Sequence, residues 1–345
     1  MKSALVIGYG QIGREVASQL SAAGVHTSVA TRSAPSPATA EVAAGNVDTA
    51  PASASAADGI TTAALRPPES ASLPHADPPH AEIARVRADA ADPAQLLEAA
   101  AGTDIIFACV HAPYDSRVWA QVLPQLEKTI MDVGAKLSIP VIFPESVYAF
   151  AGLTTPVTES SPFAPVEEKG RIRQQLMEAR SAHGARTASV IAGDLIGETA
   201  QPASSVVKMC ISDRISQGHR AIVPARTDVP HGITVIADLG AAMISAARSV
   251  EADTAGSHRM LLAPASNPTL ADITEFTYSY LGTTARKPIA LPRWTTRVAG
   301  LVERSMFELH QLSPIWYQPN IIETGELAEQ VGTTRWQDGV IAMLQ

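Results

Sequence analysis

Six residues near the N-terminus, Gly8-Tyr9-Gly10-Gln11-Ile12-Gly13, limit what this chain can fold into more than any other stretch. They follow a short apolar run, SALVI (3–7), and open a segment in which Ile12, Val16 and Leu20 recur at i, i+4 and i+8, the stripe of a helix packed on a sheet. Gly24 supplies a helix stop, and VHTSVAT (25–31) is alternating and β-branched, so it reads as a second strand. Strand, glycine loop, helix and strand in this order form the context in which GxGxxG cradles a dinucleotide pyrophosphate at a helix N-terminus. That chemistry assigns the turn to Gly8, the close approach of phosphate to Gly10, and helix–strand contact to Gly13, with Gln11 and Ile12 opening the helix. The competing reading is that the glycines close a strand–helix junction for packing alone.

Strand–helix alternation continues after a gap. IARVRAD (83–89), TDIIFACV (103–110), IPVIF (139–143) and TASVIAGD (187–194) read as strands, with helices expected at 92–102, 115–136 and 167–182. Such repetition predicts an α/β protein with a Rossmann-like, doubly wound parallel sheet. The gap, residues 33–82, is dominated by Ala, Pro and Ser and reads as a mostly disordered surface insertion, because it lacks the apolar surface to offset its ordering entropy. Beyond residue 200 the rhythm changes. Helices are expected at 206–217 and 238–249, a strand at 258–263, and mainly helix in the last 75 residues. The expected division is a dinucleotide-binding domain over 1–200 and a smaller, mainly helical substrate domain over 201–345, with 238–263 returning to the first core.

Composition removes several function classes. A net charge of −8 without a Lys/Arg-rich block argues against nucleic acid as a partner. No stretch approaches the roughly 18–20 apolar residues of a spanning helix, so no membrane is expected, and the protein is expected in the cytoplasm. Cys109 and Cys210 stand far apart in no CxxC spacing and read as reduced core thiols; no metal site is expected.

The second strand ends Ala30-Thr31-Arg32-Ser33, without the carboxylate that holds the ribose 2′-hydroxyl of NAD. A cationic Arg32 beside the Thr31 hydroxyl suits a 2′-phosphate, so NADP(H) is expected ahead of NAD(H). The alternative is that Arg32 only begins the insertion.

RADAADPAQLLEAAAGTDIIFACVHAPY, FPESVYAFAG, TESSPFAPVEEKGRIRQQLMEA, VIAGDLIGE and DVPHGITVIADLG follow one another in an order and spacing that resemble the extended and atypical short-chain dehydrogenase/reductases, the NAD-dependent epimerase/dehydratase-like family. The resemblance covers nearly the whole chain apart from 33–82. It implies that Asp89 contacts the adenine, that Val110 and His111 pass the nicotinamide ribose, and that Lys169 stands at the active-site lysine. It also exposes departures: Pro165 lies where the family's tyrosine precedes that lysine by four residues, Pro144 lies where its Ser/Thr is counted back from Tyr148, and Ile7 replaces the first glycine of GxxGxxG.

Lys169 is therefore either a cofactor contact or a charged helix cap, and Tyr148 either a surrogate proton donor or a wall residue of the cleft. His111, Tyr114 and His231 are pocket candidates or structural loop residues, and Glu159, Glu167 and Glu168 read as a cap and first turn. Two functions of different class follow. One is an NADP-dependent oxidoreductase or epimerase-like enzyme acting on a small carbonyl or sugar-type substrate, with Lys169 and Tyr148 as catalytic residues. The other is a catalytically inactive NADP(H)-binding redox or metabolite sensor. Pairing as a homodimer through the helices at 115–136 and 167–182 is expected from the family.

Overall fold

The computed structural model describes residues 1–33, 82–251, 253–254, 256–300 and 304–345. Apart from its ends, Ser33 and Glu82, the expected insertion lies outside the described residues. Strand β1 (Ser3–Ile7) leads through the glycine loop into α1 (Gln11–Ala22), whose Val16, Ala17 and Leu20 are buried on the sheet, and β2 (His26–Thr31) returns beside β1. Next come β3 (Ala84–Arg87), α2 (Pro93–Ala99) and β4 (Ile105–Ala108). Asp92 starts α2 because its carboxylate accepts the Ala94 and Gln95 amides, and Pro93 at the first position loses no hydrogen bond. The second half repeats the unit with α3 (Ser116–Leu137), β5 (Val141–Ser146), α4 (Glu168–Ala182) and β6 (Thr187–Ala192).

Strand β6 stops two residues short of the expected end. A Cβ on Gly193 would collide with the Gly232 carbonyl, so the backbones there touch, and the chain restarts as β7 (Asp194–Ile196), pairing away from the main sheet. The helix expected over 206–217 runs over 206–216, with a π-turn at Lys208–Ser212 before α5 (Asp213–Ser216). After β8 (Ile222–Val223) come β9 (Ile233–Val235), which pairs with β7, then α6 (Ile236–Glu251) and β10 (His258–Leu262). Helix α7 (Leu270–Tyr280), β11 (Ile289–Ala290), α8 (Arg293–Ala299), α9 (Arg304–His310) and α10 (Ser313–Trp316) precede two short C-terminal helices.

Seven strands form one all-parallel sheet in the order β10-β6-β5-β4-β1-β2-β3, the doubly wound fold that the alternation predicts. Chain order reverses between β1 and β4, and there the crevice for a ligand opens at the carboxyl ends of the strands. Apolar clusters cover both faces of the sheet: Val16, Leu20 and Met243 belong to one, and Leu96, Trp119 and Ile130 to the other. A third cluster packs Val207, Ile211, Ile273 and Trp316 against Phe150, Val157 and Ile191. No helix among the described residues is long and apolar enough to cross a membrane.

Candidate active site

The glycine loop divides its work among three residues by space alone. Gly8 has φ +91°, a conformation that strains any other residue, and a Cβ there would stand 2.9 Å from the Cys109 carbonyl oxygen on the facing strand end. At Gly13 a Cβ would strike the Gly8 carbonyl, so α1 leaves β1 at the closest approach the backbone permits. Gly10, the N-cap of α1, meets nothing within 4 Å: the volume a side chain would fill is open, beside the unpaired amides of a twelve-residue helix.

That opening belongs to a cavity of about 430 Å³ which runs from Gly10, Gln11 and Ile12 past the ends of β4, β5 and β6 to residues beyond 200. Trp119, on α3, is the hub of its wall. Its ring stacks on Tyr148 at 6.4 Å and meets His111 and Tyr114 edge-on at 4.7 and 5.4 Å. The Tyr114 and Tyr148 hydroxyls are hydrogen-bonded at 3.1 Å, and burial raises the pKa of each phenol, so both hold their protons at neutral pH. Ser146 and Pro144 line the same wall, so the strand that carries proline at the expected hydroxyl position offers a hydroxyl two residues later.

Beside the phenols stands a buried charge network. Arg173 Nη2 donates to His111 Nε2 at 2.5 Å, which leaves the ring proton on Nδ1, donated to the Ala112 carbonyl at 2.6 Å. Desolvation, then the Arg173 guanidinium, pushes His111 down to about 4. Arg173 Nε lies 3.4 Å from Glu145, and Glu145 also accepts from Arg180, whose guanidinium grips Glu127 through two bonds of 2.7 and 2.8 Å. Two carboxylates thus balance two guanidiniums, as burial requires. Nearby Asp194 accepts from Ser205 Oγ and the Val206 and Val207 amides, yet burial holds it up at about 6.

Lys169 lies outside this wall. Its side chain is 1% exposed, its Nζ sits 2.5 Å from Glu308 of α9 and 3.5 Å from the centre of the Tyr114 ring, and burial pushes it down to about 8. Glu308 also pairs with Arg304 and accepts the Ser116 amide at 3.2 Å. One turn further along α4, Arg173 is the cation that reaches the cavity. Gly170 lets this end of α4 close on the Tyr148 backbone, whose carbonyl would lie 2.6 Å from an added Cβ.

Of the residues singled out from sequence, the cavity wall gathers Gly10, Gln11, Ile12, Val110, His111 and Tyr148, together with the pocket candidates Tyr114 and His231. Gly8 and Gly13 shape the loop behind it. Thr31, Arg32 and Asp89 stand at the ends of β2 and β3, apart from this wall, with the Thr31 hydroxyl donating to the Ser33 carbonyl and Asp89 accepting the Ala91 amide. Glu168 accepts Ser116 Oγ, and Glu159 accepts the Leu262 and Glu326 amides, so neither forms a carboxylate pair. Sequence reading missed Trp119, Glu145, Arg173 and Arg180. The signal was present for the arginines: they share the buried face of α4 with Ile172, Leu176 and Met177, where a charge is kept only with a partner.

No protein-family model and no curated protein matches the sequence. Solved structures do. The dTDP-glucose 4,6-dehydratase of Streptomyces venezuelae, with NAD bound, matches 100% of this chain and 96% of its own at TM-score 0.67 and 14% identity. UDP-glucose 4-epimerase of Thermus thermophilus, complexed with NAD, matches 99% and 97% at TM-score 0.65 and 13% identity. That of Thermotoga maritima, with UDP-glucose, matches 99% and 97% at 0.64 and 12%. From the glycine loop to the C-terminal helices, this chain has the fold of these nucleotide-sugar epimerases and dehydratases.

Proposed function

We propose that the protein is an NADP(H)-dependent oxidoreductase of the epimerase/dehydratase type. One observation carries this reading: the open helix N-terminus at Gly10 and the Tyr114–Tyr148 phenol pair face the same cavity. The loop fits a dinucleotide, because the space left by Gly10 is backed by helix amides and holds no side chain. The structural neighbours with NAD bound support a nicotinamide dinucleotide. For NADP over NAD the support is local. Arg32 follows directly on the end of β2, while Arg85 stacks on the Tyr9 ring at 3.5 Å and Arg14 flanks it at 5.3 Å, placing cations beside the loop.

When bound, the dinucleotide supplies or accepts a hydride. The chain's own residues do the rest. The α1 amides would hold the pyrophosphate, Asp89 the adenine, and Val110 and His111 the nicotinamide ribose, with Arg173 fixing the His111 tautomer. Tyr148, protonated at neutral pH, gives its proton to a carbonyl oxygen, and the Tyr114 hydroxyl hands on a replacement. Lys169 acts through Tyr114, its ammonium holding that ring from 3.5 Å above its centre.

Tyr148→Phe keeps the ring and its stacking and deletes the hydroxyl. Turnover should drop about a hundredfold or more, with dinucleotide affinity unchanged. Normal turnover would remove Tyr148 from the reaction. The second reading, a dinucleotide sensor, is favoured by the withdrawal of Lys169 into its pair with Glu308. It is selected if the wild type binds NADPH yet turns over nothing in a panel of ketones, aldehydes and nucleotide sugars.

A further inference from the structure

The part of the cavity beyond Tyr148 has a chemistry of its own. Its wall there includes Val206, Met209, Leu309, Leu312, Ile315 and Trp316. Among the described residues lining the whole cavity, Arg173 is the only lysine or arginine, against three carboxylates, Glu127, Glu145 and Asp194. Arg173 is hydrogen-bonded to His111 through Nη2 and its charge is paired with Glu145 at 3.4 Å, although its buried Nε makes no hydrogen bond, and Arg180, which offsets Glu127 and Glu145, lies behind the wall. His231 is 1% exposed, donates through Nε2 to the Arg226 carbonyl at 2.9 Å, and is held neutral by burial. A nucleoside diphosphate would bring two negative charges into this lining and find no cation free to receive them.

Space points the same way. Pockets that hold a single drug-sized ligand span roughly 300–1,000 Å³. The 430 Å³ here includes the approach over Gly10, so the dinucleotide's own reactive end takes a share of it.

We infer that the substrate carries no nucleotide and no net charge: a small, largely apolar ketone or its alcohol, with its oxygen at Tyr148 and its hydrocarbon body against Met209, Leu312 and Trp316. This rests on the dinucleotide reading given above and departs from the nucleotide sugars named for the structural neighbours.

The test is titration calorimetry on the full chain, first with NADP⁺ alone and then, at saturating NADP⁺, with cyclohexanone, acetophenone, UDP, UDP-glucose and dTDP-glucose; the oxidised cofactor prevents turnover of the ketones. Ketone binding with no heat from the three nucleotides at millimolar concentration is the expected result. Met209→Trp, at a position 39% exposed, should then weaken ketone binding at least tenfold and leave NADP⁺ affinity unchanged. Micromolar binding of UDP or a nucleotide sugar to the NADP⁺-loaded protein overturns the inference and spares the cofactor reading. Failure of both ketones to bind, or ketone binding indifferent to Met209→Trp, also overturns it. No binding of NADP⁺ itself brings down both.

Discussion

The two ends of the cavity are built by different means. At the glycine loop the chain works through backbone: Gly8, Gly10 and Gly13 contribute a turn, an opening and a contact within six residues, and each role is the absence of a side chain. At the β5–α4 end the work falls to side chains brought together over long separations, 34 residues between the two phenols and 62 between His111 and Arg173. The first arrangement can be damaged by adding atoms and the second by removing them.

Loss of Arg180 should give the largest effect. Arg180→Ala strands Glu127 and Glu145 without their shared cation, and the expected loss of stability is about 3–5 kcal/mol by urea unfolding. A loss under about 1 kcal/mol would mean that the network is not what holds this end together. Gly10→Asp probes the opposite end. Its Cβ enters open space, so stability should stay within about 0.5 kcal/mol of wild type, while a carboxylate facing the pyrophosphate abolishes dinucleotide binding in calorimetry. If binding survives, the loop is a packing junction and nothing more.

Lys169→Ala sharpens the contrast between family resemblance and geometry. A lysine on the cofactor ribose would cost roughly tenfold to a hundredfold in affinity when removed. The structure instead pairs Lys169 with Glu308, which keeps Arg304 after the change, so a stability loss of about 1–3 kcal/mol with affinity altered less than about twofold is expected.

The smallest effect is on pH dependence. Burial holds His258 at about 4, below its unfolded value of 6.5, so the unfolded chain takes up the proton first. Its contribution to stability is complete above 6.5 and is lost as pH falls toward 4. His111 acts in the same sense, and Asp194, raised from 3.8 to about 6, acts in the opposite one across the lower part of that window. His258→Gln should therefore make stability fall less steeply between pH 7 and pH 5, by at most about 1.4 kcal/mol per pH unit, in paired urea titrations. Equal slopes would show that the imidazole is solvated.

Legibility followed the range of the forces involved. The SALVI run, the i, i+4, i+8 stripe of α1 and the Asp92 cap are local, and the strands and helices they predict are present. The strand expected over 187–194 broke at Gly193 because that residue touches Gly232, a contact that no window of sequence around it contains. Lys169 and Arg173 differ by one helical turn and were indistinguishable as cations. What separates them is that Glu308, far along the chain, lies over one and the cavity over the other.

By itself, then, the sequence determined the parallel α/β alternation and the glycine loop between β1 and α1, since periodicity and the missing side chains of glycine act within a few residues. The tertiary structure alone decided which side chains meet in the cavity, which charges are spent on one another, and how little positive charge is left to greet a ligand, because each of these depends on partners that only folding brings within reach.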